Sequence, residues 1–181
     1  MTGTAQRCDA VIMGGGLAGL TLALQLKQRF QDIDVLVLER RRHPVPHAAH
    51  KVGESSVEIG AHYFDTVLGL KPHMDSAQLR KFGFRFFFSE GRRDIDQVTE
   101  IGASRYLAVP SYQIDRGIFE NYLAQEAVRR GVRFDDAALV RRVDLAPDAE
   151  APHRLEWTRG NETHSAEARW LIDACGRAGL L

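Results

Sequence analysis

The feature that most constrains the fold is a glycine-rich hexapeptide at residues 14–19, Gly-Gly-Gly-Leu-Ala-Gly. An apolar stretch at residues 8–13 precedes it, and apolar residues recur at helical spacing after it, as far as residue 30. This order predicts a buried strand, a tight turn and a helix. The aliphatic residues 33–38 predict a second strand that is covered on both faces. The segment is therefore expected to form a βαβ unit with parallel strands and a right-handed crossover.

The spacing within the hexapeptide indicates a site for the pyrophosphate of a dinucleotide. Gly14, Gly16 and Gly19 allow the backbone to turn tightly and to approach a pyrophosphate at the helix N-terminus. Leu17 and Ala18 lie between these glycines and belong to the candidate cofactor-binding residues.

Glu39 strengthens the prediction of a dinucleotide site. It follows Gly19 by about 20 residues, at the end of the second predicted strand, where a carboxylate accepts hydrogen bonds from both hydroxyls of an adenosine ribose. Arg40 is a candidate to cover the adenine, or it is a solvated charge in a run of arginines. The alternative to the whole site is a glycine-rich turn with an unrelated surface glutamate, and the order of the elements favours the dinucleotide site.

Composition excludes several other classes of protein. The 181 residues are 44% hydrophobic and 27% charged, which suits one domain with a core of its own. Because 24 basic residues balance 24 acidic ones, no positive field favours nucleic acid or an anionic membrane as a partner. No apolar run approaches the ~20 residues of a membrane span and no signal peptide precedes the domain, so a cytoplasmic location is expected. Cys8 and Cys175 are expected to be buried free thiols.

Two further helices are predicted from local signals. Ser55 followed by Glu58 has the capping-box pattern and predicts a helix that ends near Gly69. Asp115 predicts the start of a second helix, which Gly131 ends.

Strands are predicted mainly in the second half of the chain. Residues 79–89 predict one strand whose alternate phenylalanines, at positions 82, 84, 86 and 88, pack in the core. Residues 90–113 are expected to contain strands and turns. Trp157 and Trp170 are expected in the core or in a hairpin. Further strands are expected at residues 132–134, 139–145, 155–158 and 169–174.

Four segments, in their order along the chain, resemble the flavin-dependent halogenases and their FAD-dependent monooxygenase relatives. They are residues 14–19, Lys-Val-Gly-Glu-Ser at 51–55, Tyr-Gln-Ile-Asp-Arg-Gly-Ile-Phe at 112–119, and Leu-Ile-Asp-Ala-Cys-Gly at 171–176. The resemblance implies an α/β fold: a Rossmann-like FAD-binding domain of the glutathione-reductase type with β-hairpin insertions, incomplete at its C-terminus. It also implies FAD rather than NAD as the cofactor.

The resemblance also implies roles for individual residues. Glu54 and Ser55 match a segment that passes along the flavin, and Arg116 matches an arginine that approaches the FAD phosphates or ribitol. Val140 matches the strand position whose backbone reads the adenine edge. Residues 173–176 resemble a second nucleotide-binding signature, and the alternative for any one of their side chains is a buried strand that ends in a glycine turn.

Lys81 is the candidate catalytic residue. The segment Lys-Phe-Gly-Phe-Arg-Phe at 81–86 resembles the strand on which halogenases carry a lysine between flavin and substrate. A partly desolvated amine there can hold hypohalous acid or form a haloamine. The alternative is a solvated lysine at the end of a strand.

No metal site is predicted. His43, His47 and His50 lie close together in the sequence, but prolines separate them and no cysteine or acidic residue accompanies them. They are expected in a loop near the ribose.

The resemblance implies an oxidoreductase that uses reduced FAD and O2 to halogenate an electron-rich aromatic substrate. That substrate is a small molecule or is tethered to a carrier, and a flavin reductase supplies the reduced flavin. Two alternatives stay open: a monooxygenase whose flavin hydroperoxide hydroxylates the substrate, and a nucleotide-binding module without turnover. The 181 residues lack the Trp-x-Trp-x-Ile-Pro signature, the halide-binding segment and the helical substrate region of halogenases. They are therefore expected to be the N-terminal FAD-binding portion of a longer flavoprotein.

Overall fold

The chain divides into two compact units. In this computed structural model, residues 5–48, 50–148 and 150–181 are described. The six-stranded unit comprises the chain before residue 50 and from residue 116 onward. The inserted unit comprises residues 50–115.

The described residues form ten strands and four α-helices. In order, they are β1 (Gln6–Met13), α1 (Leu17–Arg29), β2 (Val35–Leu38), α2 (Glu58–His62), α3 (Lys71–Ala77), β3 (Leu79–Lys81), β4 (Arg85–Phe88), β5 (Thr99–Gly102), β6 (Ser111–Gln113), α4 (Arg116–Arg129), β7 (Arg133–Asp135), β8 (Ala138–Asp144), β9 (His153–Arg159) and β10 (Glu162–Asp173). A π-helical turn (Tyr63–Val67) extends α2, and short 3₁₀ turns occupy Ile95–Gln97 and Gly176–Ala178.

The six-stranded unit is built on one mixed sheet in the order β7, β2, β1, β10, β9, β8. The first four strands are parallel, whereas β9 and β8 join as antiparallel strands. Strands β1 and β2 pair from Ala10 and Val35 onward and are joined through α1. This arrangement confirms the predicted Rossmann-like βαβ unit.

The core of this unit follows from the alternation of side chains along the strands. Helices α1 and α4 pack against each other, and Gly19 of α1 lies against Ile12 of β1. The neighbouring side chains of β1, Val11 and Met13, belong to an apolar cluster around the fully buried Trp157. Both faces are buried in the second half of β1, Ala10–Met13, and along all of β2. For β2 this confirms the coverage predicted from its aliphatic residues.

The C-terminal strand differs from the sequence prediction in length and in the burial of one residue. Strand β10 begins at Glu162 rather than near residue 169, because it pairs with β9 along its first half and with β1 along most of its length. Trp157 is buried as predicted, but the prediction for Trp170 was wrong, since its side chain is exposed. The pairing with β9 ends at Ala168, so Trp170 lies beyond the strand on that side.

The inserted unit contains two separate two-stranded sheets, β3 with β6 and β4 with β5. The prediction of one strand over residues 79–89 was wrong, because the chain breaks between β3 and β4. Gly83 has a φ of +127° there, in a region that favours glycine. The predicted burial of the phenylalanine row was also wrong for Phe84, Phe86 and Phe88, which are exposed.

The predicted capping box is absent from the start of α2. The helix begins at Glu58, and its N-cap residue is Val57 rather than Ser55. The backbone before α2 is extended instead: Ser55 bridges Gln113, and the amide of Ser56 donates a hydrogen bond to a β6 carbonyl oxygen. Helix α3 was not predicted; it carries a proline in its first turn, where the missing amide hydrogen costs nothing.

Two other expectations concern the whole chain. Cys8 and Cys175 are free and partly buried, which confirms that they do not form a disulfide. Of the helices in the described ranges, none is both long and apolar enough to cross a membrane.

Candidate functional site

The glycine turn joins β1 to α1 and is held by close backbone contacts. Gly14 has a φ of +111°, and a Cβ atom there would collide with the carbonyl oxygen of Ala174. A Cβ atom on Gly19 would collide with the carbonyl oxygen of Gly14. These two glycines are therefore required by the fold itself, whatever binds at the turn.

Gly16 is different, because the protein does not require a glycine there. Its φ of −86° and ψ of −169° are open to any residue, and the nearest atom to a Cβ would be the Glu120 Oε1, at 3.7 Å. Gly16 is also the N-cap residue of α1, and no side chain caps this end of the helix. The first turn includes Leu17 and the exposed Ala18 and contains no acidic residue. The positive end of a 13-residue helix thus lies beside a backbone that a ligand can approach closely.

Glu39 lies at the end of β2, next to the turn, where the sequence predicts it. Its side chain is largely buried, and Oε2 accepts a hydrogen bond from the Gly15 amide at 2.8 Å. Oε1 accepts hydrogen bonds from the backbone amide and the Nε of Arg41, at 2.8 and 3.2 Å. A carboxylate has about four lone-pair positions and three are used here, so Oε2 of Glu39 can still accept a hydrogen bond from one ribose hydroxyl. Arg40 is exposed to solvent.

An ion cluster extends from Glu39 to helix α4, and it includes a residue that sequence reasoning missed. Glu120 is fully buried; its Oε1 pairs with the Arg116 guanidinium, and its Oε2 lies 3.4 Å from the Nη2 of Arg41. Arg116 was predicted to be a cofactor contact, whereas Glu120 and Arg41 were not. The signal was present in the sequence: an acidic residue four positions after Arg116, within the apolar face of the helix.

Two other predicted segments lie in the same unit. Val140 lies on β8 and packs partly buried against the apolar cluster, and the start of β8 is tied to β2 by a 2.9 Å hydrogen bond from the Ala138 amide to the Glu39 carbonyl oxygen. Asp173 accepts hydrogen bonds from the amides of Cys175 and Leu180, which lower its pKa. Burial raises the pKa of the Cys175 thiol to about 11, so this cysteine is not a reactive thiolate.

The remaining candidates, Glu54, Ser55 and Lys81, meet in the inserted unit. The Lys81 ammonium donates to the Ser55 Oγ at 2.7 Å and to the Ser56 carbonyl oxygen at 2.6 Å, and it lies 5.0 Å from the centre of the Phe84 ring. Glu54 accepts a hydrogen bond from the Lys51 amide at 3.0 Å. Lys81 is therefore held at a defined position, with a serine hydroxyl and an aromatic ring beside its amine.

A buried tyrosine between two aspartates was not predicted. The Tyr112 hydroxyl lies 3.1 Å from Asp65 and 2.9 Å from Asp75. Burial raises the pKa of Asp65, whereas hydrogen bonds from Lys71 and Tyr112 lower the pKa of Asp75. One phenol hydrogen is best donated to one carboxylate, and the lowered pKa of Asp75 beside the raised pKa of Asp65 favours Asp75 as the acceptor. Asp65 lies in the π-helical turn, a geometry frequent at functional sites.

The three histidines are dispersed along the loop after β2. The ring of His43 contacts the edge of Phe134, with ring centres 4.9 Å apart, and burial lowers its pKa. His47 and His50 are exposed. Within the described ranges, no group of three or more His, Cys, Asp or Glu side chains is placed to bind a metal ion.

Comparison with known proteins gives consistent matches along almost the whole chain. A family model described as NAD(P)-binding Rossmann-like domain matches residues 12–80, and one described as tryptophan halogenase matches residues 92–181. A flavin-dependent halogenase of Dictyostelium discoideum is 24% identical over 189 residues, which cover 93% of this chain and 31% of that protein. A tryptophan 2-halogenase of Chondromyces crocatus is 25% identical over 180 residues, which cover 94% of this chain and 30% of that protein.

The fold is also similar to solved structures. The myxobacterial chondrochloren halogenase CndH, described as a variant of FAD-dependent halogenases, has a TM-score of 0.71 and 27% sequence identity. The match covers 93% of this chain and 37% of that one. The chain thus spans about three tenths of the length of the curated relatives it matches.

Proposed function

Because the chain belongs to the tryptophan-halogenase-like family of flavin-dependent proteins, we propose that it binds FAD through the glycine turn of the six-stranded unit. Residues 1–181 are proposed to be the cofactor-binding portion of an oxidoreductase that halogenates an electron-rich aromatic substrate. Halogenation, the aromatic substrate and a separate flavin reductase as the source of reduced FAD all belong to this proposal. The names of the relatives support halogenation and an aromatic substrate, and the flavin reductase is what the resemblance to the family implies.

The observation that carries the cofactor proposal is the free space at Gly16. The fold requires Gly14 and Gly19, whereas no atom of the described residues would lie closer than 3.7 Å to a Cβ at Gly16. A glycine there leaves the backbone open to close approach by a ligand. The uncapped end of α1 lies at the same place, and its amides suit the pyrophosphate. Glu39 lies beside them for the ribose. The ADP half of FAD contains both groups in this order.

The choice of FAD over NAD rests on the family and not on the turn. NAD and FAD share an ADP half, so a Rossmann-like turn suits either, and this explains the match of residues 12–80 to an NAD(P)-binding model. The relatives named as halogenases are flavin-dependent, which favours FAD here.

Lys81 is the proposed catalytic residue of halogenation. Reduced FAD, when bound, would supply two electrons to O2, and the resulting oxygen at the peroxide level would oxidise halide to hypohalous acid. The amine of Lys81 would hold the resulting hypohalous acid by a hydrogen bond or capture its halogen, and Ser55 and Ser56 would fix the direction of the amine. Hydroxylation is a second candidate: it would leave Lys81 with a structural role, which the same two hydrogen bonds suit equally.

The cofactor proposal is tested by titrating the chain with FAD and following the quenching of flavin fluorescence. Gly16→Ala should retain the fold, since its added Cβ meets ordinary contact distances. It should weaken FAD binding by about tenfold or more, a loss of about 1.4 kcal/mol, because the methyl group keeps the pyrophosphate from the backbone. Gly60→Ala is the matched control, since Gly60 has open space around it in α2. Equal FAD affinity of the two variants would place the cofactor elsewhere.

A further inference from the structure

Glu120 is the most deeply buried acidic side chain of the site, and its burial has no structural explanation in packing alone. It lies on α4 between the buried residues Phe119 and Asn121, on a face that packs against α1. Burial of a carboxylate is costly unless it is paired, and an apolar residue of similar size is often at least as stable. A charge at this position therefore indicates a task beyond stability.

The contacts of Glu120 show what that task involves. One carboxylate oxygen pairs with Arg116 and the other with Arg41, so a single side chain holds two guanidinium groups. The same carboxylate lies nearest to the open position at Gly16. Arg41 in turn binds Glu39, whose other oxygen binds Gly15. The cluster thus forms a continuous edge along the glycine turn.

Arg116 retains a donor that the described part of the chain does not satisfy. Its Nε is buried and has no hydrogen-bond partner among the described residues, although its Nη2 is bound to Glu120. A buried cationic donor without an acceptor is costly, and an anionic oxygen is the group that satisfies it best. A phosphate at the glycine turn would supply such oxygens.

We propose that Glu120 is a positioning residue of the dinucleotide site: it holds the guanidinium group of Arg116 beside the glycine turn, where Arg116 meets a phosphate. This inference rests on the proposed binding of FAD at that turn. Glu120 itself does not contact the cofactor.

A double-mutant cycle tests this role. FAD and ADP are titrated against the chain and its Glu120→Gln, Arg116→Gln and double variants. If Glu120 acts through Arg116, each single substitution weakens binding of both ligands by about tenfold, and the double variant is no weaker than Arg116→Gln alone. ADP is included because it carries the diphosphate without the flavin. Glu120→Asp should recover part of the affinity, because it restores the charge but not the full reach.

Glu126→Gln is the matched control. Glu126 lies on the same helix, is largely buried and also pairs with two arginines, Arg129 and Arg130, but it is not in contact with the turn cluster. The Glu126→Gln variant should have a lower free energy of unfolding, as Glu120→Gln does, but the same FAD affinity as the parent chain. If both variants bind FAD like the parent chain, Glu120 has only a structural role. Tighter binding by Glu120→Gln would show that its charge repels the ligand, which also overturns the proposal.

Two further results separate the possible failures. If Gly16→Ala does not weaken FAD binding, the proposed cofactor site is wrong; if it does and the cycle is additive, only the role of Glu120 is wrong. If Glu120→Gln fails to fold, the double variant replaces both charges by an uncharged pair and is compared with Arg116→Gln alone. A double variant that binds more weakly than Arg116→Gln contradicts the proposal.

Discussion

The two units of the chain bury their apolar residues to very different extents. In the six-stranded unit, β2 and the second half of β1 are buried on both faces, and Trp157 is inaccessible to solvent. In the inserted unit, β4 and β5 are exposed along their whole lengths, and Phe86 is 57% exposed. The first unit therefore builds a core from its own strands and helices, whereas the aromatic row of the second stabilises little within this chain.

The polar groups of the two units differ in the same way. Those of the six-stranded unit converge on a backbone turn and form a continuous edge, from Gly15 through Glu39 to Glu120. Those of the inserted unit fix one amine, Lys81, and one buried phenol, Tyr112. The first arrangement suits the binding of a dinucleotide, and the second suits the placement of a single reactive group. The predictions below test this division.

The largest effect is expected at Lys81. If halogenation requires an amine, Lys81→Ala abolishes the halogenated product in an enzyme as long as the relatives. FAD affinity is unchanged, because the contacts proposed for the ADP half of FAD, at the glycine turn and Glu39, lie in the other unit. Product mass spectrometry with and without bromide is paired with an FAD titration. Lys27→Ala, on α1, is the control for the loss of a lysine.

Each result at Lys81 has a distinct meaning. Halogenated product from Lys81→Ala would show that the amine is not needed. Hydroxylated product without dependence on bromide, in both the parent and the variant, would identify a monooxygenase. A loss of FAD affinity would contradict the division between the two units.

The next largest effect separates the two units by stability. Trp157→Ala should lower the free energy of unfolding by about 3–5 kcal/mol, because it leaves a large cavity in a closed core. Phe88→Ser should change it by less than about 0.5 kcal/mol, since the ring is already exposed. Urea unfolding followed by circular dichroism measures both. A large loss in Phe88→Ser would show that β4 is covered in solution.

The elements that could be predicted from sequence are those specified within a short segment. The glycine turn and Glu39 depend on one strand, one turn and the next strand, and each part has its own signal. Trp157 and the strands around it follow from the alternation of apolar residues. The resemblance of short segments to a known family placed Arg116, Lys81 and Ser55 at positions where the structure gives them defined contacts.

The elements that could not be predicted depend on contacts between distant segments. Glu120 becomes part of the site because α4 packs beside α1, and Tyr112 meets Asp65 because β6 lies next to the π-helical turn. The strand at residues 79–89 was predicted as one because its alternation continues through Gly83, and nothing in that alternation indicates a positive φ. Exposure of the phenylalanines also depends on which surfaces cover them, which a local pattern does not contain.

A smaller effect is expected at Glu39. Glu39→Ala should weaken FAD binding by about 1–3 kcal/mol, the range for charge-assisted hydrogen bonds, through the loss of the ribose acceptor and of the support for Gly15 and Arg41. Isothermal titration with FAD measures the change, and Glu162→Ala, an exposed glutamate at the start of β10, is the control. An unchanged dissociation constant for Glu39→Ala would remove this residue from the site.

The smallest effect concerns the pH dependence of the inserted unit. Burial raises the pKa of Asp65 above that in the unfolded chain, so the folded state binds more protons from about pH 4, the ordinary value, up to the raised pKa. Stability contributed by protonated Asp65 is present below that range and is lost as pH rises through the folded pKa. Asp75 has the opposite sign, because its lowered pKa gives stability that is lost as pH falls through the folded value.

Asp65→Asn and Asp75→Asn should therefore show opposite pH dependence relative to the parent chain. As pH rises above about 4, the free energy of unfolding of Asp65→Asn should increase relative to that of the parent chain. The reason is that the variant carries no buried charge beside Tyr112 and Asp75. For Asp75→Asn, the free energy of unfolding should decrease relative to that of the parent chain as pH rises toward about 4. Above that pH the difference should stay constant, because Asp75 of the parent chain is then charged and fully paired with Lys71. Thermal unfolding between pH 3 and pH 8 measures both curves. Parallel curves for the two variants would contradict the opposite directions of the two pKa shifts.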